Sequence, residues 1–294
     1  MSTEIAIGFF DGVHLGHRRL IGAMLRRAAE KGARSVVYTF REHPASVILG
    51  GRFAPALLLS PSQRIAAIKS LGVDEVVAVH FTPGLAARPP EWFAASLRRR
   101  FPDLDTVFCG ANWSFGAGGK GDAAFLRKLG FRVCVVPYAV RGGEPVSSTR
   151  IRAAIAGLDI GLAASLLGRA YEVTGRVVRG KGMGRKIGFP TVNVVPDFPG
   201  PLPHGVYVVE TPDGMAVANF GLAPTMGRRA WKSPVWELNF PDGLRSAPRR
   251  RFAFTLRAFI RPERKFGSVS ELRSAIASDV ECAARASCRA RAGR

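Results

Sequence analysis

The chain opens on a short apolar run rich in β-branched residues, Ile5-Ala6-Ile7, of the length of a buried strand. Beyond it the spacing changes. Leu20, Ile21, Met24, Leu25 and Ala28 recur at helical intervals, and Gly32 stands where such a helix stops. The alternation then repeats. "SVVYTF" (35–40) reads as a second strand, followed by a loop, "REHPAS". "PSQRIAAIKSLG" reads as a helix started at Ser60-Pro61, with a strand over 75–81 after it. "PPEWFAASLRRRF" reads as a Pro-started helix, "DTVFCG" as a buried strand, "DAAFLRKLG" as a short helix and "FRVCVVPY" as a strand. Strands alternating with helices predict an α/β unit with a parallel, doubly wound sheet. "SSTRIRAAIAGLDIGLAASLLG" (147–168) reads as helical and leads out of that unit.

The period changes after Gly168. Short strand-like runs ("YEVTGRVV", "GVYVVE", "MAVANFG", "VWELNF", "RFAFTLRAFI") follow one another with Gly, Pro and Asp turns between them. No helical pattern returns until "SVSELRSAIASDVECAARA". Closely spaced strands of this kind predict an antiparallel sheet or small β-barrel, closed off by a C-terminal helix. The domain reading is therefore 1–156 for the α/β unit, 157–169 for a connecting helix and 170–294 for the barrel with its helix.

Composition adds bounds. An apolar content of 47% with 22% charged residues over 294 residues describes an ordinary folded protein of about two domains. No apolar stretch approaches the ~20 residues that span a bilayer, and the N-terminus lacks the build of a signal peptide. The expected compartment is the cytoplasm, with no membrane partner. Cys109, Cys134, Cys282 and Cys288 form no CxxC pair, so neither a zinc site nor a disulfide framework is indicated. The net charge of +21 comes mainly from arginine, since only eight of the 43 basic residues are lysine. A field of that sign attracts nucleic acid, but equally nucleotides and other polyphosphates. No zinc finger, helix-turn-helix or RNP-like strand accompanies it, so no specific nucleic-acid partner is expected. The tail "RASCRARAGR" reads as a solvated, frayed end.

Candidate chemistry starts at "GFFDGVHLGH" (8–17), where a strand turns into a helix. His14 and His17 on a first helical turn are compatible with two surface imidazoles, with a metal pair lacking its third ligand, or with phosphate handling. For the last, Gly16 allows close backbone approach, while imidazoles and the helix N-terminus offer donors to anionic oxygens. Nucleotidyl transfer needs little more, because placed positive donors stabilise charge on the α-phosphate and leaving pyrophosphate. "SSTRIR" (147–152) supplies hydroxyls, amides and Arg152 at another helix start, although Ser-Ser-Thr is also an ordinary N-cap. In the second half, "GKGMGRK" is no Walker A loop, yet its glycines leave amides open beside basic side chains. Thr191 and Asn193 alternate on an extended segment and present two oxygens to one side, where a hard cation is suited. Glu237 is a single acid in an apolar strand.

Taken together, GFFDGVHLGH, "GANWSFGAGGKGD" and SSTRIR resemble the adenylyltransferase module of the bacterial bifunctional riboflavin kinase/FMN adenylyltransferase (FAD synthetase) family. "GRVVRGKGMGRKIGFPTVNV", followed by "NFGLAPT", "WELNF" and "RPERKFGSVSELRSAIASD", is similar to the kinase module of that family, in its order. The resemblance spans nearly the whole chain. It implies a Rossmann-like nucleotidyltransferase fold followed by a riboflavin kinase barrel. It also implies phosphorylation of riboflavin to FMN, adenylylation of FMN to FAD, ATP as co-substrate and Mg²⁺ as cofactor. By the same resemblance His14 and His17 are catalytic in adenylyl transfer. Gly8, Phe9, Asp11, Gly16, Ser147, Ser148, Thr149 and Arg152 bind ATP there, and Asn112 lies on the flavin side. In the kinase module Gly180, Gly182, Gly184 and Arg185 belong to the ATP loop, Thr191 and Asn193 face Mg²⁺, and Glu237 is the general base.

Three positions depart from the family pattern. Glu42 stands in "TFREHP" where a proline is usual, Asn239 stands where a histidine commonly follows the kinase acid, and "PDGLRSAPRRRF" lacks the usual Tyr-Gly. The alternative is a basic nucleotide- or nucleic-acid-binding protein that keeps the fold without one or both activities.

Overall fold

Strands form where the sequence places β-branched and aromatic residues in runs bounded by polar turns. A computed structural model describes residues 1–50, 54–179, 191–222, 234–240, 243, 250–264 and 266–292, with side chains except at 269, 272 and beyond 282. The chain divides into two units, Met1–Arg150 and Ile151–Arg294.

In the first unit β1 (Thr3–Ile7), β2 (Arg34–Phe40), β3 (Glu75–Val79), β4 (Leu104–Gly110) and β5 (Arg132–Val136) form a parallel sheet in the order β3-β2-β1-β4-β5. Alternation along the strands sends Ile5, Ile7, Val36, Tyr38 and Val107 into one core, with Phe93, Ala94 and Leu97 of α5 (Pro90–Arg100). Ala6, Val37 and Phe108 enter the opposite core, with Leu20, Ile21 and Met24 of α1 (Leu15–Lys31) and Ile68 of α3 (Pro61–Lys69). Each buried Val, Leu, Ile, Met or Phe side chain among them contributes roughly 1.5–3 kcal/mol by leaving water. This is the doubly wound sheet the pattern predicts, and its strand order reverses between β1 and β4. Crevices at that reversal, beyond the C-terminal strand ends, are where such sheets take ligands.

The second unit holds β8 (Tyr171–Val178), β9 (Thr191–Pro196), β10 (Gly205–Thr211), β11 (Gly214–Gly221), β12 (Val235–Asn239) and β13 (Arg251–Arg261). They close into an antiparallel barrel in the order β10-β11-β12-β9-β8-β13. Trp236 is fully buried, stacked on Phe220 at 4.4 Å and edge-on to Phe254 at 5.2 Å. The C-terminal helix (Val269–Ala292) is tied to the barrel by Arg261, which donates from Nε and Nη2 to the two carboxylate oxygens of buried Asp279 at 3.0 and 2.7 Å.

Three readings change, two of them through local competition for backbone amides. The 147–168 stretch is two helices, α7 (Ser148–Ala156) and α8 (Ile160–Leu167). Leu158 turns left-handed (φ 64°), and Asp159 accepts the Leu162 amide at 2.8 Å to cap the second helix. "REHPAS" is not wholly loop: α2 (Pro44–Ile48) begins there, with Pro44 at its first position and the Ala45 amide bound to His43 Nδ1. The tail expected to fray keeps helical backbone through Ala292.

Candidate active sites

The turn between β1 and α1 is strained. Phe10 and Val13 both have positive φ, 59° and 43°, which side-chain-bearing residues rarely adopt. Asp11 holds it: the buried carboxylate accepts the amides of Leu58 (3.0 and 3.1 Å) and Leu59 (3.3 Å). Phe9 turns its ring under the Arg64 guanidinium at 3.8 Å, while its carbonyl accepts from Thr39 Oγ1. Gly8 lies against the Phe10 ring.

At the start of α1, His14 is the N-cap and its Nδ1 accepts the His17 amide at 3.3 Å. That bond places the ring proton of a neutral His14 on Nε2. The two imidazoles stack, centroids 3.5 Å apart. His17 keeps part of its surface exposed, yet its ring is set deep among protein atoms and its Nδ1 is buried without a hydrogen-bond partner. Burial, then the neighbouring His14 and Arg64, hold its pKa well below the usual imidazole value. His17 is therefore neutral at neutral pH, a donor of one N–H rather than a full charge.

The second helix start meets the first. Ser148 Oγ donates to the Asp11 carbonyl at 2.9 Å, and Ser147 Oγ accepts the Arg150 amide at 3.2 Å. A Cβ on Gly16 would stand 3.1 Å from the His14 ring and 3.4 Å from the Val146 carbonyl, so a hydrogen there lets the starts of α1 and α7 approach. Both helices aim their first amides, which have no intrahelical acceptor, at this end of the sheet. Thr149 is exposed, and Arg152 lies half-buried farther along α7. Arg150 braces the hairpin of β6 (Val140–Arg141) and β7 (Glu144–Pro145), pairing with Glu144 at 2.9 Å.

Beside this phosphate-sized arrangement is a cavity of about 280 Å³ walled by Ile7, Phe40, Pro44, Phe81, Trp92, Phe93, Trp113 and Phe115. Sequence reasoning reached only its edge: Asn112 is exposed in the turn after β4, next to Trp113. Its aromatic residues are scattered from 40 to 115, so no local motif announces it. The departure at Glu42 acts here. Its carboxylate accepts the Phe81 amide and pairs with His80 Nδ1, both at 2.8 Å. Although burial opposes ionisation, these bonds lower its pKa overall. Glu42 thus pins the segment carrying Phe81, a wall of the cavity.

On the barrel, pairing register builds a polar row. Asn193 of β9 lies opposite Glu237 of β12, which lies opposite Asn219 of β11. Thr191 and Asn239 face each other two positions along. Val192, Val194, Trp236 and Leu238 alternate with these residues and turn to the barrel interior, so the row stands on the opposite face of the strands, where Asn193 and Asn239 are themselves buried and Thr191 and Glu237 exposed. Asn219 Nδ2 donates to Glu263 Oε1 at 3.1 Å, bringing a second carboxylate to the row that sequence reasoning missed. Glu237 remains exposed by area, yet burial by surrounding atoms and then the Glu263 charge raise its pKa above the ordinary value. Gly180, Gly182, Gly184 and Arg185 lie outside the described residues.

A doubly wound sheet with paired imidazoles between two helix starts, joined to a barrel with an oxygen pair beside a carboxylate, defines a phosphate-handling transferase of two units. Residues 1–150 match the family model for FAD synthetase, and residues 167–287 that for riboflavin kinase. The bifunctional riboflavin kinase/FMN adenylyltransferase of Escherichia coli (strain K12) is 34% identical over 285 residues, covering 94% of this chain and 90% of that protein. That of Bacillus subtilis (strain 168) is 32% identical over 300 residues, covering 96% and 92%. A crystal structure described as a macrolide-efflux protein from Streptococcus pneumoniae superposes with a TM-score of 0.80 at 29% identity, covering 95% of this chain and 93% of that one. Among the described residues no helix is long and apolar enough to cross a membrane. The chain belongs to the bifunctional riboflavin kinase/FMN adenylyltransferase family. Its activities are the ATP-dependent phosphorylation of riboflavin to FMN, in the C-terminal half, and the adenylylation of FMN to FAD, in the N-terminal half.

Proposed function

We propose that adenylyl transfer is carried out between the starts of α1 and α7, and riboflavin phosphorylation on the polar row of β9 and β12. The observation that carries the first assignment is the meeting of the two helix starts around the stacked His14 and His17. A phosphate oxygen of FMN attacks the α-phosphorus of ATP, and the bond to the bridging oxygen breaks with its electron pair leaving on pyrophosphate. Negative charge grows on the leaving oxygens. His14 and His17, as N–H donors, stabilise that growth together with the amides of Leu15 and Gly16. Ser147, Ser148, Thr149 and Arg152 hold the triphosphate from the other helix. Asp11, Phe9 and Gly8 contribute by shaping the turn. The aromatic cavity takes the flavin ring, with Asn112 at its margin.

On the barrel, the Thr191 hydroxyl and Asn193 amide oxygen share one face of a strand, a neutral oxygen pair suited to Mg²⁺ that also binds phosphates. Bound there, Mg²⁺ would neutralise charge on the transferred phosphoryl group. Glu237, directly opposite Asn193, accepts the proton of the riboflavin hydroxyl as that oxygen attacks the γ-phosphorus, and the bond to the β,γ-bridging oxygen breaks with its electron pair leaving on ADP. A raised pKa brings this base nearer to working pH. Asn239, on the same side two residues on, takes the place of the usual histidine. We place both reactions in the cytoplasm, with ATP, riboflavin, FMN and FAD as the small-molecule partners and no specific nucleic acid. Purified protein given riboflavin, ATP and Mg²⁺ should form FMN and then FAD. His17→Ala should stop only the second step and Glu237→Gln only the first.

A further inference from the structure

Arg64 belongs to α3, outside every motif that marks the family, and it is completely buried. Its Nη2 donates to the carbonyls of Phe40 and Arg41, the latter at 3.1 Å, where β2 ends. Its guanidinium carbon lies over the Phe9 ring, 3.8 Å from the centroid, and Phe9 is the first aromatic residue after Gly8 in the phosphate-side turn. Nε and Nη1 are buried with no hydrogen-bond partner. A guanidinium withdrawn from water without full pairing is unfavourable, and an apolar side chain of similar volume would fill the space without that penalty. The carboxylates whose charge it feels, Asp11 and Glu42, are committed elsewhere. Asp11 is bound to the Leu58 and Leu59 amides, and Glu42 to Phe81 and His80.

The cation is balanced by the charges of Asp11 and Glu42 without a direct ion pair to either among the described residues, and it sits at the junction of two parts of one site. Phe40 walls the aromatic cavity, and Phe9 begins the turn that carries His14 and His17. Its field also reaches the imidazoles, since Arg64 is among the groups that keep His17 unprotonated.

The geometry points to Arg64 as a positioning residue for adenylyl transfer: it ties the flavin-side wall at Phe40 to the phosphate-side turn at Phe9 and supplies permanent positive charge behind His17. The inference rests on the assignment of that turn to adenylyl transfer. A ligand with an aromatic ring at one end and a phosphate at the other needs its two subsites held at a fixed separation, and Arg64 touches both, by hydrogen bond at the Phe40 carbonyl and by cation–ring contact at Phe9.

The test uses the full chain with Arg64→Met, which keeps the stem and loses the charge, and Arg64→Lys, which keeps the charge and loses the fork. FAD formation from FMN and ATP is measured, with riboflavin phosphorylation by the same protein as an internal reference. Arg64→Met should lower kcat for FAD formation by about 100-fold, as small misplacements of reacting groups do. The KM for ATP should change only a few-fold and the kinase rate not at all. Arg64→Lys should recover a large part of the lost kcat. Parental kcat in Arg64→Met overturns the inference. So does an equal loss in the Met and Lys variants, since the charge would then be immaterial. His17→Ala, run alongside, separates the two failures: an active His17→Ala enzyme removes the site assignment itself, whereas an inactive one beside a fully active Arg64→Met removes only the role of Arg64.

Discussion

His14 and His17 lie ring on ring, 3.5 Å between centroids and 17° between planes, and the backbone N–H of the second donates to Nδ1 of the first. One imidazole therefore caps the helix that presents the other. Their losses should differ. His17→Ala should reduce kcat for FAD formation by about 10²–10³-fold with little change in ATP affinity, because the donor acts as charge develops. His14→Ala should do so and also destabilise the first unit by about 1 kcal/mol through the missing cap. His14→Asn should restore the stability and not the rate. Steady-state kinetics and denaturant unfolding on the three proteins check this.

The carboxylate of Glu237 should matter to one reaction alone. Glu237→Gln keeps the shape and removes the base, so FMN formation from riboflavin should drop by roughly 10²–10⁴-fold. FAD formation from supplied FMN should continue at the parental rate. FMN made at the parental rate by this variant excludes Glu237 as the base.

Glu42 offers a test of the departure from the family pattern. Glu42→Ala releases the Phe81 amide and the His80 ring. The KM for FMN should rise several-fold with the KM for ATP nearly unchanged, since Phe81 walls the aromatic cavity. An unchanged KM for FMN would mean that the pinned segment does not shape flavin binding.

Far from this end of the sheet, Glu4 is fully buried beside Asp105, with Arg27 and Lys31 at 3.6 and 3.8 Å. Burial, then the neighbouring Asp105, raise its pKa to about 7 from 4.5. Between those two values the folded state binds more protons at this group than the unfolded state does. Its contribution to stability therefore falls as pH rises from 4.5 through 7. Glu4→Gln should gain stability relative to the parent at pH 8 compared with pH 5. Urea titrations of both proteins at the two pH values read the difference, and an equal offset at both would remove Glu4 as its source.

The high positive charge makes its own prediction. If it serves anionic substrates, binding of random DNA or RNA should be weak and vanish near physiological salt. Fluorescence anisotropy against ionic strength measures this, and tight salt-resistant binding to a defined nucleic acid would contradict it.

Local spacing along the chain is enough for most elements and for the motifs that lie within one of them. The β1–α1 junction was legible because an apolar run, a helical period and a Gly stop adjoin one another, and the HLGH histidines fall between them. SSTRIR was legible as a helix start for the same local reason. Competition for single amides was less so: the break at Leu158 depends on Asp159 capping the following helix. What joins distant segments was decided only by tertiary structure. The aromatic cavity gathers residues from 7 to 119, brought together from segments far apart in the chain. The place of Glu237 beside Asn193 and Asn219 follows from strand register, which a one-residue slip would turn to the opposite face. Arg64 shows the same limit most plainly. In sequence it is one basic residue of a helix in an arginine-rich chain. Only folding removes it from water and sets it between Phe9 and the end of β2, because burial and pairing are properties of all the surrounding elements at once.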